Sequence, residues 1–502
     1  MRKLLPTSLL WLVFFFGLVA ALDKFPPLSW DEGWTLTVAS NFAARGFYGL
    51  YLDGNPVGPG LSAAFPSVAS IATAFQFFGI GLWQARFVSI MYMMGALAAL
   101  YALARLLYNR RAAVLALLSL IVFASMLEMQ AIVIGRKVLA EAPMLFFLLM
   151  GYLFFSRALS DNAKTRAWLA LCGASLMWSL ALVSKAQPLP FWALSLAAIF
   201  VYAALTRRPR AAAQVVIVFV TSLLLMRAWL WGIDIFLRGH TLPSTPLPEL
   251  LNLSAFVLIP EVRVTALSRF LLEGLLLLFG LFLASWTWWR EKTSAQFSHH
   301  AARLALLVFV WSWLLWYLTL SVAWERYLFS AVFVGSIFTG YLLDRFVAML
   351  APRQMPTARK LLRAVAIITV LVVCIFYFVL TLWRIVPQLQ LGSAAADTTQ
   401  WLNENVSPRA RVETYDSEIL FQLKPRAHFP PDTLSLEIIR KEIDPTRVLS
   451  YDAARVNADY IVVGKYSRTY EIYDSLLAKG DYIPVQKIGP YSIYQKKSVS
   501  QQ

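Results

Sequence analysis

The chain has 502 residues, 59% of them hydrophobic and 15% charged, with a formal net charge of +17. Soluble domains carry about 45–50% apolar and about 25% charged residues, so this composition excludes an ordinary globular protein. Nucleic-acid binding is excluded by placement: the surplus of basic residues lies in short loops between apolar runs, and the tail after Trp383 is close to neutral.

The N-terminus imitates a secretory signal, with Arg2 and Lys3, an apolar stretch, and Val19 and Ala21 near a cleavage-like position. The stretch from Leu4 to Leu22 is long and holds Trp11 and three phenylalanines, which favours an uncleaved first membrane span. In either case the segment after it is translocated. About eleven spans follow from apolar length and flanking charge. They cover 4–22, 82–107, 112–132, 142–159, 167–183, 188–205, 211–231, 268–289, 303–322, 327–346 and 362–383. With the N-terminus in the cytoplasm, Arg105, Arg110 and Arg111, then Arg207, Arg208 and Arg210, then Arg353, Arg359, Lys360 and Arg363 all fall on the cytoplasmic side. An odd number of spans puts the tail outside. The expectation is a mostly α, polytopic helical bundle over 1–383, in the plasma (inner) membrane, and a small extracytoplasmic α/β domain over 384–502.

Three outer segments are too long to be turns: 23–81, 232–267 and the tail. In the first, the stretch SWDEGWTLTVASNFAARGFYG reads as an amphipathic helix on the outer membrane surface. Ser29 and Glu32 fit a capping box, Trp34, Val38 and Phe42 repeat every four residues, and Arg45-Gly46 closes the helix. Asp31 and Glu32 then either cap the helix and offset its dipole or take part in catalysis. The second holds Pro243, Pro246, Pro248 and Pro260. In the tail, WLNENV reads as the end of a helix; RVETY, YIVVGKY, YIPVQKI and YSIYQKK read as strands; and YEIYDSLLAKG reads as an amphipathic helix stopped by Gly480. The tail shows no nucleophile triad, phosphate loop or metal motif, so a structural or acceptor-guiding part is expected. Cys172 and Cys374 sit in apolar runs and read as small buried hydrophobes, and His299 and His300 give no ligand spacing. No cofactor is implied, although a divalent cation is left open. Trp and Tyr clusters such as SWTWW and WSWLLWY fit an interfacial belt.

A first span followed by an outer loop with Asp-Glu opening a helix resembles the C-type (GT-C fold) glycosyltransferases. More closely, the chain resembles the bacterial protein O-mannosyltransferase and aminoarabinose transferase group (glycosyltransferase family 39-like). Four further stretches carry the resemblance: FFGIGLWQARFVSIMYMMGAL with Ala85-Arg86, GRKVLAEAPMLFFLLMGYLFF with Arg136 and Glu141, LALVSKAQPLPFWAL with Lys185, and WERYLFSAVFVGSIFTGYLL with Arg326 and Tyr327. There are departures. Trp34 and Thr35 follow Gly33 where the family often has a tyrosine, NPVGPGLSAAFP replaces a Lys-Pro-Pro-Leu stretch, Glu141 stands where an aspartate is usual, and Ser184 and Ala186 flank Lys185. The resemblance implies transfer of a sugar from a polyprenyl-phosphate donor to a lipid, glycan or protein hydroxyl, with inversion. It implies Asp31 (or Glu32) as base, and Arg136, Glu141, Lys185, Arg326 and Tyr327 as substrate-contacting residues. A transporter or flippase is the alternative, but no internal repeat is found and the acids lie in outer loops rather than mid-span.

Overall fold

A computed structural model describes residues 5–497 apart from 61, 123–125, 161–162, 238–254, 292–296, most of 350–391, and 445. Among the described residues, six helices are long and apolar enough to cross a membrane: 82–107 (α4), 141–160 (α7), 165–184 (within α8, Lys164–Ser184), 209–236 (α10), 297–319 (α13) and 325–349 (α14). A bent pair, Pro260–Glu273 (α11) and Leu275–Arg290 (α12), turns by 78° at Gly274 and makes a seventh if counted as one. Shorter apolar helices include α3 (Phe65–Phe78) and α9 (Leu189–Leu205). The first helix, α1, spans Leu5–Val19. The last expected span, 362–383, lies largely outside the described residues.

Alternating helices sort the charge. Arg105 near the end of α4 and Arg110 at the start of α5 (Arg110–Val122) share one end of the bundle with Arg207, Arg208 and Arg210 between α9 and α10. At that end Arg111 pairs with Asp344 of α14 at 3.2 Å, and Asn109 donates to the same carboxylate at 2.8 Å. Arg303 of α13 caps the last carbonyl of α4, Leu107. The starts of α4, α7 and α14 and the end of α8 meet at the opposite end.

Two expected spans are altered. The one expected over 112–132 is interrupted: α5 stops at Val122, and a 3-10 turn (Leu127–Met129) and a short helix, α6 (Ala131–Arg136), follow. Glu128 lies in that turn and pairs with Lys137. A carboxylate is costly within hydrocarbon, so the chain leaves the span to bring it to the polar end. The span expected over 268–289 contains the bend at Gly274, beside which Glu273 accepts the Met126 N–H at 2.8 Å. Cys172, expected to be buried, is exposed on α8.

The outer loop forms α2 (Trp30–Arg45), a hairpin of β1 (Leu50–Leu52) and β2 (Asn55–Val57), and α3. Gly46 ends α2 in the left-handed conformation, its N–H bonding the Phe42 carbonyl. The tail contributes α15 (Ala394–Asn405), β3 (Arg411–Glu413), β4 (Arg426–His428), α16 (Asp432–Ile443), β5 (Tyr460–Val463), β6 (Tyr482–Ile488) and β7 (Tyr491–Lys496). The strands form one mixed sheet in the order β4-β3-β5-β7-β6; β3 runs parallel to β4 and β5, and β7 antiparallel to β5 and β6. Pro484 is tolerated because β6 is an edge strand with an irregular register there. The segment expected as one helix from Tyr470 holds only a single turn, Asp474–Leu477.

The stripe expected to lie on lipid is turned to protein. Trp34 and Val38 join one hydrophobic cluster with Tyr415, Phe421, Phe429 and Tyr473 of the tail. Gly33 makes this seating possible: a Cβ there would fall 2.2 Å from Glu418 Cα and 2.7 Å from the Ser417 carbonyl oxygen. Gly33→Ala is therefore expected to lift the tail from α2, read as faster limited proteolysis after residue 391 in the folded membrane protein. Gly232→Ala, where the added methyl meets nothing within 4 Å, is the control and should leave cleavage unchanged.

Candidate active site

Four consecutive residues at the start of α2 are each used in a different direction, as the 100° step of a helix dictates. Asp31 faces the polar end of the bundle. Its Oδ1 accepts the Ser62 hydroxyl at 2.6 Å, and its Oδ2 pairs with Arg326, the second residue of α14. Glu32 faces inward and is fully buried; it takes two hydrogen bonds from Arg86 of α4, at 2.8 and 3.0 Å, and one from the Val138 N–H at 3.2 Å. Gly33 lies under the tail. Trp34 donates to the Pro59 carbonyl at 2.7 Å, stacks on Trp30 with centroids 5.5 Å apart, and meets Phe429 edge-on at 5.1 Å.

Ser29 does take the N-cap position, but no side-chain cap bond forms. Glu32 is drawn away to Arg86, so the expected capping box is replaced by a buried ion pair. There Glu32 is enclosed by protein, whereas its neighbour Asp31 is partly exposed.

Around Asp31, two more ion pairs complete the polar cluster. Lys185, just after α8, pairs with Glu141 at the start of α7 at 2.6 Å, and its ammonium lies 5.3 Å from the Tyr327 ring centroid. Lys137, just after α6, pairs with Glu128. Arg326 lies over the Trp324 ring at 5.0 Å and the Tyr327 ring at 5.9 Å. Asp31 and Arg326 keep 23% and 26% of their side-chain surface exposed, so the pair is open to a ligand. Burial raises the Asp31 carboxyl, but the Arg326 guanidinium, the Ser62 hydroxyl and Lys185 outweigh it and hold the group below the ordinary carboxylate value.

The structure thus brings together Asp31, Glu141, Lys185, Arg326 and Tyr327. Lys185 is not the lone cation its local sequence suggests, since Glu141 reaches it across 44 residues. Arg326 does not pair with its neighbour Glu325, which faces Arg269 at 3.8 Å instead. Arg136 stands apart. It is 4% exposed, lies 5.2 Å from the Phe25 ring centroid, and does not pair with Glu141; among the described residues its Nε and Nη2 have no hydrogen-bond partner. Its neighbour Lys137, paired with Glu128, lies in the cluster instead. Ser62, Glu128 and Lys137 were missed. Isolated charges beside apolar runs were a usable signal for Glu128 and Lys137; Ser62 has none. Among the described residues no group of three or more His, Cys, Asp or Glu side chains could hold a metal ion.

Residues 66–231 match the family model for dolichyl-phosphate-mannose-protein mannosyltransferase. The fold is similar to that of ArnT from Cupriavidus metallidurans bound to undecaprenyl phosphate, with a TM-score of 0.65, 15% identity, and coverage of 98% of this chain and 97% of that one. The apo form of the same protein gives 0.63. The oligosaccharyltransferase AglB from Archaeoglobus fulgidus, in complex with an inhibitory peptide and a dolichol-phosphate, gives 0.55 at 13% identity, covering 99% of this chain and 75% of that one. Comparison with curated proteins finds no match. The chain has the C-type glycosyltransferase fold.

Removing one partner of a buried ion pair costs about 3–5 kcal/mol, because the other charge is stranded. Glu32→Gln is expected to destabilise the protein on that scale and to cost turnover only through loss of folded protein. Glu32→Met with Arg86→Met should recover most of the stability. Thermal unfolding in detergent, with activity normalised to folded protein, checks both.

Proposed function

We propose that this chain is a membrane glycosyltransferase that moves a sugar from a polyprenyl-phosphate donor to an acceptor hydroxyl on the extracytoplasmic face, with inversion and with Asp31 as general base. The observation that carries the reading is the Asp31–Arg326 pair, beside Lys185, at the polar end of a lipid-embedded bundle. The donor is already activated, since the lipid phosphate is the leaving group. What the protein must add is a carboxylate to take the acceptor proton and fixed cations for the departing phosphate. Both needs meet in one cluster. The donor phosphate competes with Asp31 for Arg326, and its arrival releases the carboxylate toward the acceptor. Lys185, and Lys137 in place of Arg136, serve the same phosphate, and Tyr327 flanks it.

The facts that support the outer face are the basic residues at the opposite helix ends. The structures bound to undecaprenyl phosphate and dolichol-phosphate support the class of donor. The sugar and the acceptor, whether lipid, glycan or protein, are open to assay.

The test is transfer by purified protein in lipid discs, supplied with a panel of polyprenyl-phosphate sugars and membrane extract, read by mass spectrometry. Asp31→Asn should lower turnover about 10²–10⁴-fold while the protein stays folded; normal turnover by that variant removes Asp31 as the base. A base works only when deprotonated, and Asp31 is held low, so activity should persist until pH falls through that depressed value. The acid limb of kcat/KM should therefore lie no higher than about 3.9, the ordinary aspartate value. A limb near neutrality would assign the base to another group.

For the donor site, Lys185→Ala strands Glu141 and confounds stability with binding. Exchanging both, Lys185→Gln with Glu141→Gln, keeps the pair neutral and hydrogen-bonded. This double variant should stay folded yet bind donor at least about tenfold more weakly, a loss of about 1.4 kcal/mol. Unchanged donor affinity would return Lys185 to a purely structural part.

A further inference from the structure

Away from the cluster, residues of the tail and Asp53 of the outer loop line an open cavity of about 620 Å³, within the size range of small-ligand sites. Its lining includes Asp53 from the β1–β2 turn, Arg411, His428, Phe429, Glu437 and Tyr451. The centre of its wall is a built unit. Glu413, 1% exposed, holds His428 Nδ1 through one oxygen; its other oxygen accepts the hydroxyls of Tyr451 at 2.6 Å and Tyr473 at 3.2 Å. A carboxylate that fixes one imidazole nitrogen leaves the other for a ligand. Among the described residues nothing bonds His428 Nε2.

The charges of the lining are spent on each other. Arg411 Nε donates to Asp53 at 2.8 Å, Arg455 faces Asp452 at 3.2 Å, and Glu437 holds Ser450 by its N–H at 2.9 Å and by its hydroxyl. Three carboxylates against two guanidiniums leave no positive excess for an anion. The remaining lone pairs on paired carboxylates, the imidazole and the ring of Tyr451 suit a neutral ligand dense in hydroxyls. Phe429 is also shared: it packs on Trp34, one helical turn from Asp31.

We propose that this cavity is a second, non-catalytic saccharide site that holds a short segment of an acceptor glycan while another part of it reaches Asp31. The proposal rests on the transferase reading for its purpose, but binding is measurable without turnover. His428→Ala removes the ligand-facing nitrogen and leaves Glu413 with both tyrosines. Thr433→Trp, at an exposed position of the cavity rim, fills the space without removing any bond given above.

The experiment is saturation-transfer NMR on the full chain in lipid discs, with mono- to tetrasaccharides of glucose, mannose, galactose and N-acetylglucosamine as probes. Wild type and Asp31→Asn should bind at least one of them equally well, and His428→Ala and Thr433→Trp should each weaken it at least fivefold. Inorganic phosphate should not compete. The proposal is overturned if no probe binds at 10 mM, if both cavity variants bind normally, if phosphate displaces the saccharide, or if Asp31→Asn abolishes binding. Intact saccharide binding with no transfer from any polyprenyl-phosphate sugar would sink the transferase reading alone.

Discussion

The buried Glu32–Arg86 pair fixes the rotation of α2 about its own axis, and the surroundings of Asp31 follow from that angle. Both side chains are fully enclosed, so neither can be shifted toward water at small cost. With Glu32 locked inward, the residue before it must face the bundle end and the residue after it must face the tail. A two-pronged contact between an arginine and a carboxylate is the kind that sets orientation as well as energy. One ion pair therefore positions the Asp31 carboxylate, the seat of the tail at Gly33 and the Trp34 stack on three sides of a single turn.

The polar cluster repeats one motif. Asp31 with Arg326, Glu141 with Lys185, and Glu128 with Lys137 each match a carboxylate to a cation, the first two across 295 and 44 residues and the last across 9. At rest the cluster is neutral, which lets it sit at the head of an apolar bundle. In the proposed reaction an entering phosphate would exchange partners rather than meet bare cations, and selectivity would lie in how well it replaces carboxylates.

Much of the helical architecture was legible because membrane spans announce themselves by length, and the loop arginines by sign. Asp31, Lys185 and Arg326 were legible as charges placed where apolar runs begin or end. Their partners were not: Arg326 meets Asp31 across 295 residues, and no local pattern encodes that. The Ser29–Glu32 spacing suggested a cap, and Arg86, 54 residues on, overrode it. Similarly, the apolar stripe of α2 is what both a lipid-facing and a protein-covered helix display, and only the tail's position decides between them. The segments 112–132 and 268–289 read as single spans because hydropathy averages over the polar Glu128 and the bend at Gly274.

The cover over α2 arrives late. Ser417 closes on the Trp30 carbonyl from 387 residues further along the chain. At the usual 5–20 residues per second, translation leaves roughly 20–80 s between the two. Throughout that interval Trp30, Trp34 and Val38 lack their final partner. An apolar stripe of this kind suits a membrane surface as well as a protein cover, so the sequence of α2 is compatible with either until residue 417 is made.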